Sequence, residues 1–354
     1  MARKSVLIGI SGGIDSAVAA AILRKKGFHT EGLYIRNGFP TRSEVEAERV
    51  AEELDIPLHK IDLTGQFRND IVEYFAAEYA TGRTPNPCIV CNKKIKFRYL
   101  LEETDRRGID YLATGHYARI EERGGEKGFR LLRGIDINKD QSYFLFELGQ
   151  EVLAKAIFPN GEMTKEEIRA MARDLDLVSF SERESQEICF IPGNNYRRFI
   201  EDFLVPSPFE PGNIVDKNGI IVGRHQGIHS VTIGQRKGLN IASKRPYYVI
   251  EIDSSNNRVV VGRDEDQLFM GLIAEGVSWS SSSSQEKPLS ARTQIRYRHR
   301  GVDSIITDMP DMKDSVFVLF DTAQKAVAPG QAAVFYHDGA VIGGGWIAKG
   351  IRRD

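Results

Sequence analysis

The stretch Val6-Leu7-Ile8-Gly9-Ile10-Ser11-Gly12-Gly13-Ile14-Asp15-Ser16, leading into Ala17 to Lys26, decides the fold of the N-terminal half. Val6 to Ile10 is an apolar run of strand length, and Ala17 to Lys26 has the pattern of a helix. Between them, Gly12 and Gly13 allow the backbone to pass close to an anion. The first N–H groups of the following helix point at that anion, with the positive end of the helix dipole behind them. Ser11 and Ser16 add hydroxyl donors, and Asp15 is placed to hold a metal ion or water beside a phosphate. An N-capped turn without a ligand would also use Ser and Asp. The full Ser-Gly-Gly-x-Asp-Ser string is more specific than a lone glycine pair, so a nucleotide is the expected ligand.

Outward from this loop, strand-like runs recur at Thr30–Ile35, Pro57–Asp62 and Tyr111–Thr114. Helical patterns at Ser43–Leu54, Gln66–Tyr79 and Lys94–Arg107 separate them. This alternation predicts an α/β domain with a parallel sheet and helices on both faces. Ligands of such sheets bind at the carboxyl ends of the strands, where Ser11–Ser16 lies. Residues 117–145 read as a hairpin around Gly124-Gly125, and helices are predicted at Lys165–Leu175 and Tyr196–Phe203. Pro206, Pro208 and Pro211 then interrupt the chain. Strands are predicted beyond them at Ile214–Val222, Tyr247–Ile252, Asn257–Val261, Gln294–Arg298 and Ser315–Phe320, and the serine run to Ser284 reads as an exposed loop. The expected partition is 1–206, a small β unit at 207–272, and a β-barrel at 273–354.

With 354 residues, the chain is too long for one typical core. It is 41% hydrophobic and 27% charged, without an apolar run of membrane-spanning length or a signal-peptide cleavage region, so a cytoplasmic protein is expected. A net charge of −1 supplies no global field for nucleic acid, and DNA is not an expected partner. RNA binding would rest on local patches. Three cysteines argue against a disulfide scaffold.

Two of those cysteines stand in Thr84-Pro85-Asn86-Pro87-Cys88-Ile89-Val90-Cys91-Asn92-Lys93-Lys94. Read as the entry to a basic helix beginning at Lys93, this segment places Cys91 beside a helix N-terminus and two lysines, which would favour thiolate. Cys189 lies in Ser185-Gln186-Glu187-Ile188-Cys189-Phe190-Ile191. Packed thiols, a zinc site completed by a histidine, and a reactive trio near the nucleotide all remain open.

No Gly-Lys-Ser/Thr follows the glycine turn, and the spacing is not that of dinucleotide folds. The loop resembles the PP-loop of ATP pyrophosphatases, which cleave ATP between its α and β phosphates and leave AMP on the substrate. Further strings sharpen the likeness: Gly82-Arg83-Thr84-Pro85-Asn86-Pro87, Cys91-Asn92-Lys93, Ala113-Thr114-Gly115-His116-Tyr117, and Asn138-Lys139-Asp140-Gln141-Ser142-Tyr143-Phe144. Ile188-Cys189-Phe190-Ile191, Gly234-Gln235-Arg236-Lys237-Gly238-Leu239 and Pro329-Gly330-Gln331 follow in the same order. Together they resemble the tRNA-specific 2-thiouridylases, which replace the C2 oxygen of the wobble uridine with sulfur.

The resemblance implies an ATP site at Gly9, Ile10, Ser11, Gly12, Gly13, Ile14, Asp15 and Ser16, with Ile35 and Gly115, and Mg²⁺ as companion ion. It implies that Asn86, Pro87 and Cys88 face the target base. His116, Lys139, Asp140, Gln141, Arg296, Tyr297 and Gln331 would contact tRNA. Cys91 matches the nucleophile and Cys189 the persulfide carrier, with a persulfide carrier or cysteine desulfurase as the sulfur-donor protein. Cys88 departs from the commonest family form, which is acidic there. The trio Cys88, Cys91 and Cys189 is therefore also a candidate ligand set for a 4Fe–4S cluster.

Gln294-Ile295-Arg296-Tyr297-Arg298-His299-Arg300 alternates with period two, so a strand would set Arg296, Arg298 and Arg300 on one face, suited to phosphates. Lys93, Lys94, Lys96 and Arg98 form a second basic patch, and Arg236-Lys237 and Arg197-Arg198 others. Two rival functions remain. A PP-loop enzyme activating a carbonyl for an amine would not need Cys91 or Cys189. A noncatalytic tRNA-binding protein would not need the phosphate loop.

Overall fold

The computed structural model describes residues 3–39, 43–124, 128–177, 188–191, 193, 195–204, 209–280 and 287–352. Its N-terminal sheet has five parallel strands: Ser5–Gly9, His29–Arg36, Leu58–Asp62, Tyr111–Ala113 and Ala156–Ile157. Across the sheet they run third, second, first, fourth, fifth. The strand order therefore reverses beside the first strand, the place where open α/β sheets bind ligands. Val6 and Ile8 pack with Ala17 and Val18 on one face, while Leu7 packs with Phe97 and Leu100 on the other. Burial on both faces explains the unbroken apolar run in this strand. The fifth strand has two residues, too short for periodicity to reveal.

The expected hairpin forms from Ala118–Glu122 and Phe129–Arg133, although Gly125 of its turn lies outside the described residues. Leu132 pairs with Ala340, which joins the hairpin to the C-terminal strands. Six of those strands form a closed barrel: Leu268–Trp279, Leu289–Gln294, Val302–Asp308, Val316–Lys325, Ala332–His337 and Ala340–Ile351. The first and last pair to close it around Leu272, Val318, Phe335 and Ile347. Between the two lies a four-stranded sheet of Gly212–Asp216, Ile221–His225, Tyr248–Asp253 and Arg258–Gly262, with Ile214, Val249, Val259 and Val261 inside.

Three expectations are corrected. Ile214–Val222 is two strands, because Asp216 accepts the N–H groups of Asn218 and Ile220 and Gly219 takes a φ of 81°. The arginine stripe is not a strand. Leu289–Gln294 stops at Gln294, whose side-chain amide donates to the Tyr297 carbonyl at 2.8 Å and folds the next residues into a turn. Arg296, Arg298 and Arg300 therefore do not share a strand face. The helix expected from Lys94 begins at Pro87, where a missing N–H costs nothing. It runs through Pro87–Cys91, a π-helical Asn92–Phe97 and Arg98–Arg106 without a break. Pro206, Pro208, Ser185 to Glu187 and Ser281 to Ser284 lie outside the described residues.

Candidate active site

The first strand ends at Gly9 and the helix Ile14–Lys25 starts after Gly13, which leaves Ile10 to Gly13 as the turn. Ser16 stitches it: its hydroxyl receives the Ser11 N–H at 3.2 Å and donates to the Gly13 carbonyl at 2.9 Å. Gly12 has a φ of 77°, and a Cβ there would lie 2.7 Å from both the Ser43 carbonyl oxygen and Glu46 Cβ. Gly115 presses on the loop from the neighbouring strand, where a Cβ would meet the Asp15 carbonyl at 2.7 Å. Asn160 clamps both, donating to the Asp15 carbonyl at 2.9 Å and the Gly115 carbonyl at 3.0 Å. Ile35, half-buried near the end of the second strand, packs against the clusters that hold Leu7 with Phe97 and Phe75 with Cys91.

Asp15 is already engaged by two side chains. Its Oδ1 takes 2.6 Å hydrogen bonds from Lys165 Nζ and from the Tyr117 hydroxyl. Lys165 is buried and opens the helix Lys165–Asp174, held there by a Thr164–Glu167 capping box. Positive charge beside the loop is thus supplied first by a side chain. Sequence reading missed Lys165 and Asn160, since only tertiary structure brings them to Asp15. The capping box Thr164-Lys165-Glu166-Glu167 was the one local signal.

The thiols gather at a second place, within electrostatic reach of one another. Cys91 is buried, Cys88 half-buried and Cys189 exposed, and none forms a disulfide. Burial pushes the Cys88 thiol up to about 11 and Cys91 up to about 12, and raises Cys189 as well. The expectation of a ready Cys91 thiolate is therefore corrected, because desolvation outweighs the nearby charge. Lys93 and Lys94 do not face the sulfurs: they pair with Glu147 at 3.2 Å and Asp70 at 3.4 Å. Lys96 is the cation that acts on all three cysteines. Lys96 is itself exposed to solvent.

His116 stands within electrostatic reach of the same lysine. Burial, with Lys96 adding repulsion, pushes its imidazole down to about 3, so it is neutral. Its Nδ1 lies 2.7 Å from the Thr114 hydroxyl and its ring leans on Phe97. Among the described residues, no three His, Cys, Asp or Glu side chains are grouped closely enough to hold a metal ion.

The residues expected to touch RNA divide into two sets. Asp140 is built into the fold: its carboxylate binds Arg133 at 2.7 Å, the Gly134 and Ser142 N–H groups and the Ser142 hydroxyl. Gln141 receives the Tyr117 N–H at 3.0 Å, and Gln331 donates to the Thr84 and Pro85 carbonyls at 3.0 and 3.2 Å. These side chains hold loops and dock the barrel against the segment before Cys88. Lys139 is half-buried on the loop beside Asp140. Arg296 and Tyr297 lie on the turn after Gln294, where Tyr297 packs on Phe144 with ring centres 4.5 Å apart. The Phe144 carbonyl takes a hydrogen bond from Asn92, next to Cys91, so this turn borders the cysteine helix. Asn86 and Pro87 are buried at that helix's start.

Fold and site define a nucleotide-binding α/β enzyme with two appended β units. The family model described as tRNA methyl transferase HUP domain matches residues 4–193. A tRNA methyl transferase PRC-barrel domain model matches 197–263, and an aminomethyltransferase beta-barrel domain model 269–347. The chain is 51% identical to tRNA-specific 2-thiouridylase MnmA 2 of Syntrophus aciditrophicus over 92% of its own length and 100% of that protein's. It is 43% identical to MnmA of Geobacter metallireducens, covering 98% and 97% of the two chains. A solved 4-thiouridine synthetase–RNA complex with ATP superposes with a TM-score of 0.38 and 18% identity, over 56% of this chain and 50% of that one. The chain belongs to the tRNA-specific 2-thiouridylase family, and is thus a tRNA sulfurtransferase. No helix among the described residues is long and apolar enough to cross a membrane.

Proposed function

We propose that this chain uses ATP to adenylate the C2 oxygen of the wobble uridine in tRNA and replaces that oxygen with sulfur from a persulfide on Cys189. One observation carries the reading: the turn Thr114-Gly115-His116-Tyr117 serves both places. Gly115 lies against the phosphate loop and Tyr117 bonds Asp15, while His116 lies within electrostatic reach of Lys96. Activation and sulfur transfer then occur on two sides of one short segment.

Gly9 to Ser16 would hold the phosphates, with Ile35 and Gly115 beside the nucleotide. Lys165 offsets phosphate charge there. Mg²⁺ commonly takes one or two carboxylates and completes its shell with phosphates and water. Asp15, with 38% of its side chain exposed, is the carboxylate on the loop that fits it. Asn86 to Cys88 would face the base, and Lys139, Arg296 and Tyr297 would approach the RNA.

In adenylation the C2 oxygen attacks the α phosphate of ATP and pyrophosphate leaves, so that oxygen can depart as part of AMP, a far better leaving group than oxide. The terminal sulfur of the Cys189 persulfide attacks C2, the new C–S bond forms, and AMP departs with the C–O electron pair. Cys91 as thiolate then attacks Cys189 Sγ. The S–S bond breaks toward the base, leaving 2-thiouridine and a Cys91–Cys189 disulfide. A dithiol reductant and a cytoplasmic sulfur-donor protein, a persulfide carrier or a cysteine desulfurase, would restore the enzyme. The expected boundary at 272 cuts the barrel strand Leu268–Trp279, so we assign the catalytic unit to 1–206, an adapter to 207–267 and the barrel to 268–354.

The test is mass spectrometry of tRNA nucleosides after reaction with wild type, Cys88→Ala and Cys189→Ala. Cys189→Ala should abolish 2-thiouridine while tRNA-dependent ATP–pyrophosphate exchange persists. Retained thiolation in that variant sinks the persulfide route. Acid-labile sulfide in anaerobically purified protein, with activity lost on iron removal, would replace it with a cluster.

A second test concerns the loop. A methyl at Gly115 collides with backbone, which cannot swing aside as a side chain would. Gly115→Ala should therefore lower ATP–pyrophosphate exchange about 100-fold, as small misplacements of reacting groups do. Exchange at the wild-type rate would show that the strand and loop need not touch.

A further inference from the structure

The helix bearing Cys88 and Cys91 departs from α geometry directly after Cys91. Asn92–Phe97 is π-helical, with Cys91 as its N-cap. In an α-helix the residues stacked beyond Cys91 would be Lys94 and Ile95, at spacings of three and four. A π-helix bonds at a spacing of five, so Lys96 comes up behind Cys91 instead. The contacts agree with this register. Lys94 turns away to Asp70, Ile95 is buried in the aromatic core with Phe75 and Phe190, and Lys96 acts on the cysteines. Cys88 and Cys91, three apart, share that face. Cys189 and His116, from other segments, also lie within the electrostatic reach of Lys96. The extra residue in the helix thus places one positive charge near three sulfurs and a neutral imidazole.

We propose that Lys96 is a positioning residue for sulfur transfer, its ammonium holding the anionic sulfur of Cys189 and then of Cys91 as each attacks. The inference rests on the persulfide reading above. Both attacks need an anionic sulfur, and for Cys91 and Cys189 alike desolvation favours the neutral thiol while Lys96 favours the anion. A cation beside the attacking sulfur stabilises the charge that the sulfur carries as it acts. The lysine belongs to the second half-reaction only, since the phosphate loop has its own cation in Lys165.

The experiment compares wild type, Lys96→Met and Lys96→Arg in three assays: tRNA-dependent ATP–pyrophosphate exchange, single-turnover thiolation from enzyme preloaded with persulfide, and iodoacetamide alkylation of Cys189 at pH 8 followed by peptide mass spectrometry. Lys96→Met should keep exchange within twofold of wild type while thiolation falls about 100-fold, the size of one lost preorganised electrostatic contact. Alkylation of Cys189 should slow roughly tenfold, matching a one-unit rise of a thiol pKa. Lys96→Arg, which keeps the charge, should recover most of both. An equal loss of exchange and thiolation overturns the proposal in favour of a structural role. A raised KM for tRNA with unchanged kcat overturns it in favour of phosphate binding. Wild-type thiolation by Lys96→Met, with Cys189→Ala inactive, refutes the role of Lys96 and leaves the persulfide reading standing; an active Cys189→Ala refutes that reading itself.

Discussion

Cys91→Ala is expected to leave tRNA joined to the protein through a C2–S–S–Cys189 bridge. In the proposed sequence the Cys189 persulfide attacks the adenylated base first, and this step does not require Cys91. AMP leaves, and the base stays attached until a thiolate attacks Cys189 Sγ. Cys88 and Cys91 both lie within electrostatic reach of Cys189, and Cys91 stands where the family resemblance puts the nucleophile, so Cys91 is assigned the attack. Without it, release under non-reducing conditions should fall by on the order of 10²-fold or more, as when a nucleophile is deleted. The adduct should appear on a denaturing gel as protein carrying RNA, with the mass of the chain plus one tRNA. An added thiol should resolve it, yielding 2-thiouridine and free Cys189. Free 2-thiouridine at the wild-type rate, with no adduct and no added thiol, would rule out Cys91 as the resolving group. Cys88→Ala in the same assay asks whether the second thiol can substitute.

The phosphate loop was legible because it is local. Six adjacent residues specify a strand end, a turn and a helix start, and Ser16 bonds within the same loop. Lys165 was not, since it meets Asp15 across 150 positions of sequence. The cysteine segment shows a different failure. Placing the helix start after Cys91 predicted a low thiol pKa from the helix dipole and the adjacent lysines. The helix in fact begins at Pro87 and carries a π-segment, which removes Lys93 and Lys94 from the sulfurs and substitutes Lys96. Neither feature has a periodicity signal. The arginine stripe failed for a related reason. Alternation of Arg296, Arg298 and Arg300 fits a strand, but the Gln294 side chain captures the Tyr297 carbonyl and ends the ladder. The short fifth strand and the pairing of Ala340 with Leu132 depend on contacts that no local pattern encodes.

Asp140→Ala is expected to destabilise the protein by about 3–5 kcal/mol, the cost of removing one partner of a buried ion pair. The Asp140 side chain is 3% exposed and that of Arg133 18%, so neither charge is well hydrated. Arg133 also donates to Gln294 at 2.9 Å and stacks over the Tyr336 ring at 3.6 Å, both in the barrel. Asp140 therefore anchors a cation that ties the N-terminal hairpin to the barrel, and its loss leaves that cation unpaired. The melting transition should move down on the order of 10 °C for a destabilisation of this size. Asp140→Asn, which keeps an acceptor for the Gly134 and Ser142 N–H groups but loses the charge, should fall between the two. The family resemblance assigns this position to RNA contact, and the two roles predict different data. A direct contact would weaken tRNA binding without moving the melting temperature. An anchoring role moves the melting temperature and weakens binding only as far as the turn at Arg296 and Tyr297, held by Gln294, loses its place. Unchanged melting in Asp140→Ala would refute the anchoring role, whatever happened to tRNA affinity.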